Sequence, residues 1–239
     1  MDITTATAAE QILESLKRTK IDYCIKRGLP VPDFIDISDF YITEEMWQEL
    51  NNEQPRSVTQ HDTYVEIIGY PMARDWNAVK ARALVTVGKK PVTPPDSAWK
   101  RRILEARHSP IRYLRYSYYI ECPMWISVHL CRHIHAHPYV LTQRNDRQSN
   151  YDRRKAPQDT PVRLIYDVNA EELMTIANKR LCNQASPETQ QLVQNMCTLA
   201  EQFTPELHGL LVPMCDYHGG VCHEMYPCGR RTNEQTGNS

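Results

Sequence analysis

The stretch from Leu114 to Glu121 constrains the fold most, because Leu114, Tyr116, Tyr118 and Ile120 alternate with Arg115, Ser117, Tyr119 and Glu121. Successive side chains of a strand point to opposite faces, so this period of two predicts a half-buried strand whose inner face is aromatic. A helix would scatter the same residues around its circumference. Pro123 then suits the first turn of a helix running from Met124 to about Arg132, since a helix start leaves its first N–H groups unpaired. Tyr64-Val65-Glu66-Ile67-Ile68 predicts another strand.

Helices are predicted on both sides of these strands. Asn77 to Leu84 reads as one, ending before Gly88 and the loop Pro91 to Pro95, after which Asp96 caps a second running to Arg107. Asn169 and Glu172 are spaced as a capping box ahead of Leu173, Ile176, Ala177 and Arg180. Ser186-Pro187-Glu188 opens a longer helix, with Leu192, Val193, Met196, Leu199, Ala200 and Phe203 on its buried side until Pro205. No βαβ rhythm joins these elements, so the predicted class is α+β, a mixed sheet flanked by helices. Short helices at Ala8–Arg18 and Thr43–Leu50 precede a linker, Asn51 to Pro55, which sets residues 1–55 apart as an N-terminal extension.

Lys and Arg number 28 against 29 Asp and Glu in 239 residues, a formal charge of -1, so no global basic field exists to hold a long nucleic acid. No export signal and no bilayer-length apolar run is present, which predicts a cytoplasmic protein without a membrane partner. In that setting the eight cysteines are expected as thiols or metal ligands rather than disulfides.

Arg132-His133-Ile134-His135-Ala136-His137 concentrates imidazoles and a guanidinium after the apolar helix, a composition that suits an anion site or a metal site. The spacing of His133 and His137 matches a metal-binding helix, but Pro138 follows and no Glu lies between them, which disfavours metal. Arg144, Arg147, Arg153 and Arg154 come next, and Arg180 lies on the capped helix. Guanidinium groups converging from separate segments would form a phosphate site, whereas each alone reads as a solvated charge.

The order of these blocks resembles the flavin-dependent thymidylate synthases. The run His108-Ser109-Pro110, Tyr116-Ser117-Tyr118, Pro123-Met124-Trp125-Ile126-Ser127-Val128-His129 and Arg132-His133 is similar to theirs. Their signature is Arg-His-Arg, a short spacer and Ser; here Arg132-His133-Ile134 is followed by seven residues and Thr142, with Arg144 beyond. Val168-Asn169-Ala170-Glu171-Glu172-Leu173-Met174, ending in Lys179-Arg180, resembles the family's nucleotide-binding helix. The resemblance reaches from about Tyr64 to Gln190, makes residues 56–205 the catalytic domain, and leaves 206–239 as a cysteine-rich segment.

The resemblance implies FAD held by Arg132, His133, Tyr139, Asn169 and Thr175, the last helix residue but one before Ala177. It implies a substrate, dUMP or a related pyrimidine nucleotide, faced by His129, Thr142, Gln143, Arg144, Arg153 and Arg180, with Thr142, Arg144 and Arg180 nearest the chemistry. NADPH and methylenetetrahydrofolate follow as co-substrates and a homotetramer as the assembly. No Gly-x-Gly-x-x-Gly loop is present, and the family binds FAD without one. Ile134 stands in place of the second signature arginine, Tyr113 where the family has His, His129 where it has Gln, and Val140 where it has Glu. Only eight residues separate Arg144 from Arg153, where the family carries a long insertion. These departures keep open a related transfer such as hydroxymethylation, and an inactive nucleotide-binding relative.

Outside the resemblance, Cys215, Cys222 and Cys228 sit among Gly and Pro turns, with Cys182 upstream or a nearby His as a fourth ligand. The set suits structural zinc, although the spacing is not that of a Cys-x-x-Cys knuckle; free thiols and an iron–sulfur cluster are the alternatives. A zinc-stabilised nucleic-acid-binding module is the reading from another class, and the near-neutral charge opposes it.

Overall fold

The computed structural model describes residues 56–60, 62–141 and 152–231, all within a compact unit spanning Gln54–Ser239. The short helices expected before residue 55 lie outside the described residues, as do Thr142, Gln143, Arg144 and Arg147. Among the described residues there are five strands: β1 (Ser57–Gln60), β2 (Thr63–Gly69), β3 (Arg115–Pro123), β4 (His137–Val140) and β5 (Pro161–Asn169). The same residues hold six α-helices: α1 (Ala73–Val85), α2 (Ser97–Glu105), α3 (Met124–Cys131), α4 (Ala170–Arg180), α5 (Pro187–Phe203) and the single turn α6 (Met214–Tyr217).

The strands form one sheet in the order β1-β2-β3-β5-β4. The α+β class with flanking helices is as the sequence predicts, but every pairing is antiparallel, so the sheet itself is not mixed. Among the described strands no crossover joins two parallel neighbours, in keeping with the lack of a βαβ rhythm in the sequence. The central pair, β3 with β5, holds one register over nine residues from Arg115↔Asn169 to Pro123↔Pro161. At the β2 bulge, a Cβ on Gly69 would stand 3.2 Å from that of Ser117, so the close approach there favours glycine.

The alternation in β3 decides which face is covered. Tyr116, Tyr118 and Ile120 are fully buried, together with Val65 of β2 and Tyr166 and Val168 of β5. They pack with the apolar stripes of α4 and α5, including Leu173, Ile176, Leu192, Val193 and Met196. Leu207, Leu210 and Leu211 join the same core, so the chain just past α5 is part of it. Among the described residues no helix is long and apolar enough to cross a membrane.

Three tyrosines carry hydroxyls into this core, and each finds an acceptor. Tyr116 donates to Thr204 Oγ1 at 2.9 Å, Tyr118 to the Met196 carbonyl at 3.1 Å and Tyr166 to the Leu130 carbonyl at 3.1 Å. A buried hydroxyl without a partner would cost about 1–3 kcal/mol, so these bonds fix where α5 and the end of α3 meet the sheet. Helix starts follow local chemistry: Asp96 accepts from the Trp99 N–H at 2.7 Å, and Asn169 from the Glu172 N–H at 3.0 Å. Pro123 closes β3 and stands just outside α3 rather than in its first turn.

Tyr116→Phe should therefore destabilise the protein by about 1–2 kcal/mol by stranding the Thr204 hydroxyl, and adding Thr204→Val should recover part of that loss. Urea unfolding of the single and double variants measures both; strictly additive losses would mean that the hydroxyl pair contributes no coupling.

Candidate active site

The central pairing sets where the chemistry-bearing side chains converge. β3 leads into α3 at one end of the pair, while β5 leads into α4 at the other. The turn after α3 carries Arg132 and His133, and it meets the flank of α4. There Arg180 Nε donates to His133 Nε2 at 3.1 Å, and Arg180 Nη2 donates to the His129 carbonyl at 3.0 Å. Helical side chains incline toward the N-terminus, so Arg180 reaches back along α4 while Glu172 approaches from its first turn. Glu172 Oε1 lies 3.4 Å from His133 Nδ1, and both side chains are largely buried.

The protonation of this cluster follows from its geometry. An arginine Nε always carries hydrogen, so His133 Nε2 accepts and the imidazole proton resides on Nδ1, facing Glu172. Burial, with the Arg180 and Arg132 charges adding to it, pushes His133 down to about 4. The imidazole is thus neutral at physiological pH, and its contact with Glu172 is not an ion pair. Burial raises Glu172 above the usual carboxylate range, with Glu171 contributing and His135 opposing. Burial also lowers Arg180, helped by Arg132 and opposed by Tyr166.

His129 Nδ1 lies 3.0 Å from Thr189 Oγ1, and its ring meets Trp125 edge to face at 5.8 Å. Its proton affinity is lowered by burial first, then by Arg180 and Arg132. Two of the five N–H donors of Arg180 are occupied by His133 and His129, and the others have no partner among the described residues. A half-buried guanidinium with donors to spare is a site for an anion or a carbonyl.

A cavity of about 380 Å³ adjoins the start of α4, lined by Arg112, His135, Asn169, Glu171, Glu172 and Thr175. Two residues expected at the flavin, Asn169 and Thr175, therefore share one cavity. Asn169 spends its side-chain oxygen on the helix cap, leaving its amide nitrogen for a ligand, so cap and binding roles are compatible. Thr175 turns its hydroxyl to the Glu171 carbonyl at 3.0 Å. Arg112 is paired with Glu171. With two carboxylates in its wall, this cavity suits the hydrogen-bonding edge of a neutral ring better than a phosphate.

The other expected residues are placed less centrally. Arg132 caps α3 and is exposed, Tyr139 stands exposed on β4, and Arg153 is exposed beyond the undescribed segment. His137 belongs to β4 and not to a helix with His133, which removes the helical spacing that a metal pair would need. Among the described residues no group of three or more His, Cys, Asp or Glu is drawn up in metal-ligating geometry. Tyr113, at a departure position, is exposed under the Arg82 guanidinium, 3.9 Å from its ring centre.

Sequence patterns do not anticipate Glu172, Thr189 or Arg112 at the site, and give His135 only as part of the run from Arg132 to His137. The sequence offered Glu172 only as the returning half of a capping box, but its carboxylate turns to His133 instead. That choice depends on a contact across 39 residues and leaves no local signal.

A family model described as thymidylate synthase complementing protein matches residues 151–206, less than a quarter of the chain, including β5, α4 and α5. The fold is that of a UMP/dUMP methylase, PolB from Streptomyces cacaoi, bound with 5-Br dUMP: the TM-score is 0.52 and the identity 16%, over 63% of this chain and 95% of that one. No curated protein matches the chain in sequence.

The His133 environment gives a pH dependence. The unfolded chain protonates this group near 6.5 and the native protein near 4, so between those values the unfolded state binds more protons and stability falls as pH is lowered. Glu172, shifted upward, acts in the opposite sense over its own window. Lowering pH from 6.5 to 4 should remove up to ~3 kcal/mol attributable to His133, and His133→Gln should flatten that part of the profile. Urea midpoints across this range test it; identical slopes in both proteins would contradict a buried neutral imidazole.

Proposed function

We propose that the chain is a flavin-dependent thymidylate synthase-like enzyme that methylates dUMP, or a closely related pyrimidine nucleotide, at C5 of the ring. The observation that carries this reading is the meeting of Arg180 with His133 and His129, which are 47 and 51 residues away in sequence. The two segments that the family resemblance assigns to one site, around Arg132-His133 and along α4, are in contact. The family-model match over residues 151–206 and the fold shared with a dUMP methylase support the same reading.

The roles follow from the chemistry of the side chains. Arg180 meets the nucleotide, its remaining donors neutralising phosphate or holding a pyrimidine carbonyl. His133, neutral and oriented by Glu172, holds the guanidinium in place without adding a second positive charge. His129 lines the nucleotide side, backed by Thr189. Thr142, Gln143, Arg144 and Arg153 supply further substrate contacts from the segment after β4. Arg132, Tyr139, Asn169 and Thr175 hold the flavin, with the cavity at the start of α4 taking a ring edge. Bound FAD, reduced by NADPH, would supply the hydride that converts the one-carbon unit of methylenetetrahydrofolate to a methyl group. The protein's part is to orient the rings and compensate phosphate charge.

The exposed apolar residues Tyr139, Val140 and Leu141 along edge strand β4, with Ile165 of β5, support assembly into a homotetramer that covers this edge. In this reading residues 56–205 carry the catalytic residues, 1–55 is an extension, and the cysteine-rich 206–239 joins the same core through Leu207, Leu210 and Leu211. Val140 is exposed and apolar where the family has a glutamate, which favours hydroxymethyl transfer as the second reading; the mass of the nucleotide product distinguishes the two.

Purified protein should show flavin absorption, or acquire it on incubation with FAD; folded protein that stays colourless after FAD addition removes the assignment. Arg180→Ala should retain flavin while dUMP affinity falls by ~1.5–3 kcal/mol, roughly 10- to 150-fold, and Arg147→Ala should change it little. Calorimetric titration with dUMP gives the comparison, and equal, wild-type-like affinities would make Arg180 a structural arginine only.

A further inference from the structure

A second cavity, of about 210 Å³, lies between the end of α4, the turn α6 and residues 221–231, and all four cysteines singled out in the sequence line it: Cys182, Cys215, Cys222 and Cys228. Cys215 and Cys222 are buried, and Cys182 and Cys228 are half-buried. Residues 221–231 form no helix or strand, yet they are tied down by ion pairs, Lys179 with Glu224 at 2.9 Å and Arg230 with Asp216 at 2.7 Å.

The orientation of this segment runs against hydrophobic burial. Met225 and Tyr226 are 82% and 78% exposed, while Cys222 and Cys228 face the cavity. By apolar area Met225 and Tyr226 would gain more from the interior than the two thiols do, although a free cysteine is itself commonly buried. An irregular segment that turns thiols inward and its apolar residues outward has a different driving force, and thiolate–metal bonds supply one. Lys179, Glu224 and Arg231 also line the cavity, Lys179 paired with Glu224 and Arg231 with Asp216. His218 and His223 lie edge to face at 5.1 Å and are exposed, which places them at the rim rather than in the ligand set.

We propose that Cys182, Cys215, Cys222 and Cys228 bind one structural zinc ion as a tetrahedral four-thiolate site. The sulfurs surround the cavity without having converged to ligating geometry, and a Zn–S bond of about 2.3 Å requires them to close inward on the ion. Four thiols give up their protons and no redox change occurs, since zinc has one stable oxidation state. Cys182 lies two residues beyond Arg180, so the ion would pin residues 213–231 to the end of α4 that carries the nucleotide-facing arginine. The site itself stands independently of the nucleotide reading.

Elemental analysis of full-length protein purified under reducing conditions should find about one zinc per chain. Replacement by cobalt should give thiolate-to-metal charge transfer and the visible bands of a tetrahedral ion. Cys182→Ser and Cys228→Ser should each shift or abolish those bands, and Cys131→Ser, on α3 outside the cavity, should leave them unchanged. Should the cysteine variants fail to fold, the spectrum of wild-type protein decides alone. Metal-free protein that gives no cobalt–thiolate absorption overturns the proposal, as does iron in place of zinc, a Cys182–Cys228 disulfide in place of metal, or a cobalt spectrum unaffected in both folded variants.

Discussion

The pairing of β3 with β5 is the constraint on which the rest of the molecule depends. Nine residues in unbroken antiparallel register bury Tyr116, Tyr118 and Ile120 beside Leu164, Tyr166 and Val168 on one face. A slip of one residue would turn that whole set outward, so the hydrophobic pattern and the register enforce each other. The same register sends α3 and α4 off from opposite ends of the pair. Tyr166 then ties β5 to the last turn of α3, which brings the Arg132-His133 turn against α4. The site is a consequence of the sheet.

Within the site the balance between desolvation and pairing decides each side chain's state. Arg180, at the end of α4, gives up part of its hydration to sit against the end of α3, a cost offset by a neutral imidazole and a main-chain carbonyl rather than by a carboxylate. Because neither partner is charged, the guanidinium keeps its full positive charge for a ligand. Glu172 neutralises nothing directly on Arg180; its carboxylate lies 3.4 Å from the imidazole that does touch it. An arginine held this way is preorganised and still electrostatically unsatisfied, which is the condition for binding an anionic nucleotide with little reorganisation.

Much of this was legible in the sequence, for reasons that differ from element to element. The alternation in β3, the Asp96 and Asn169 caps and the apolar stripe of α5 are local patterns, and each corresponds to the element it predicts. In β5 the buried Val162, Leu164, Tyr166 and Val168 alternate with Pro161, Arg163, Ile165 and Asp167, a pattern blurred by the apolar Ile165 on the opposite face. β4 carries His and Pro in four residues and has no periodicity to read. At the site, Arg180 and His133 could be paired only through a resemblance that linked their segments. The roles of Glu172, Thr189, Arg112 and His135 depend on contacts between segments far apart in sequence, which no window along the chain contains.

In the proposed function this site replaces the hydrogen on C5 of dUMP with a one-carbon group. dUMP tritiated at C5, incubated with FAD-loaded protein, NADPH and methylenetetrahydrofolate, tests it most directly, because forming the new carbon–carbon bond must expel the label. The account predicts tritium released to water in step with formation of methylated nucleotide, and dependent on both co-substrates. Folded, FAD-loaded protein that returns dUMP with its label intact would contradict it.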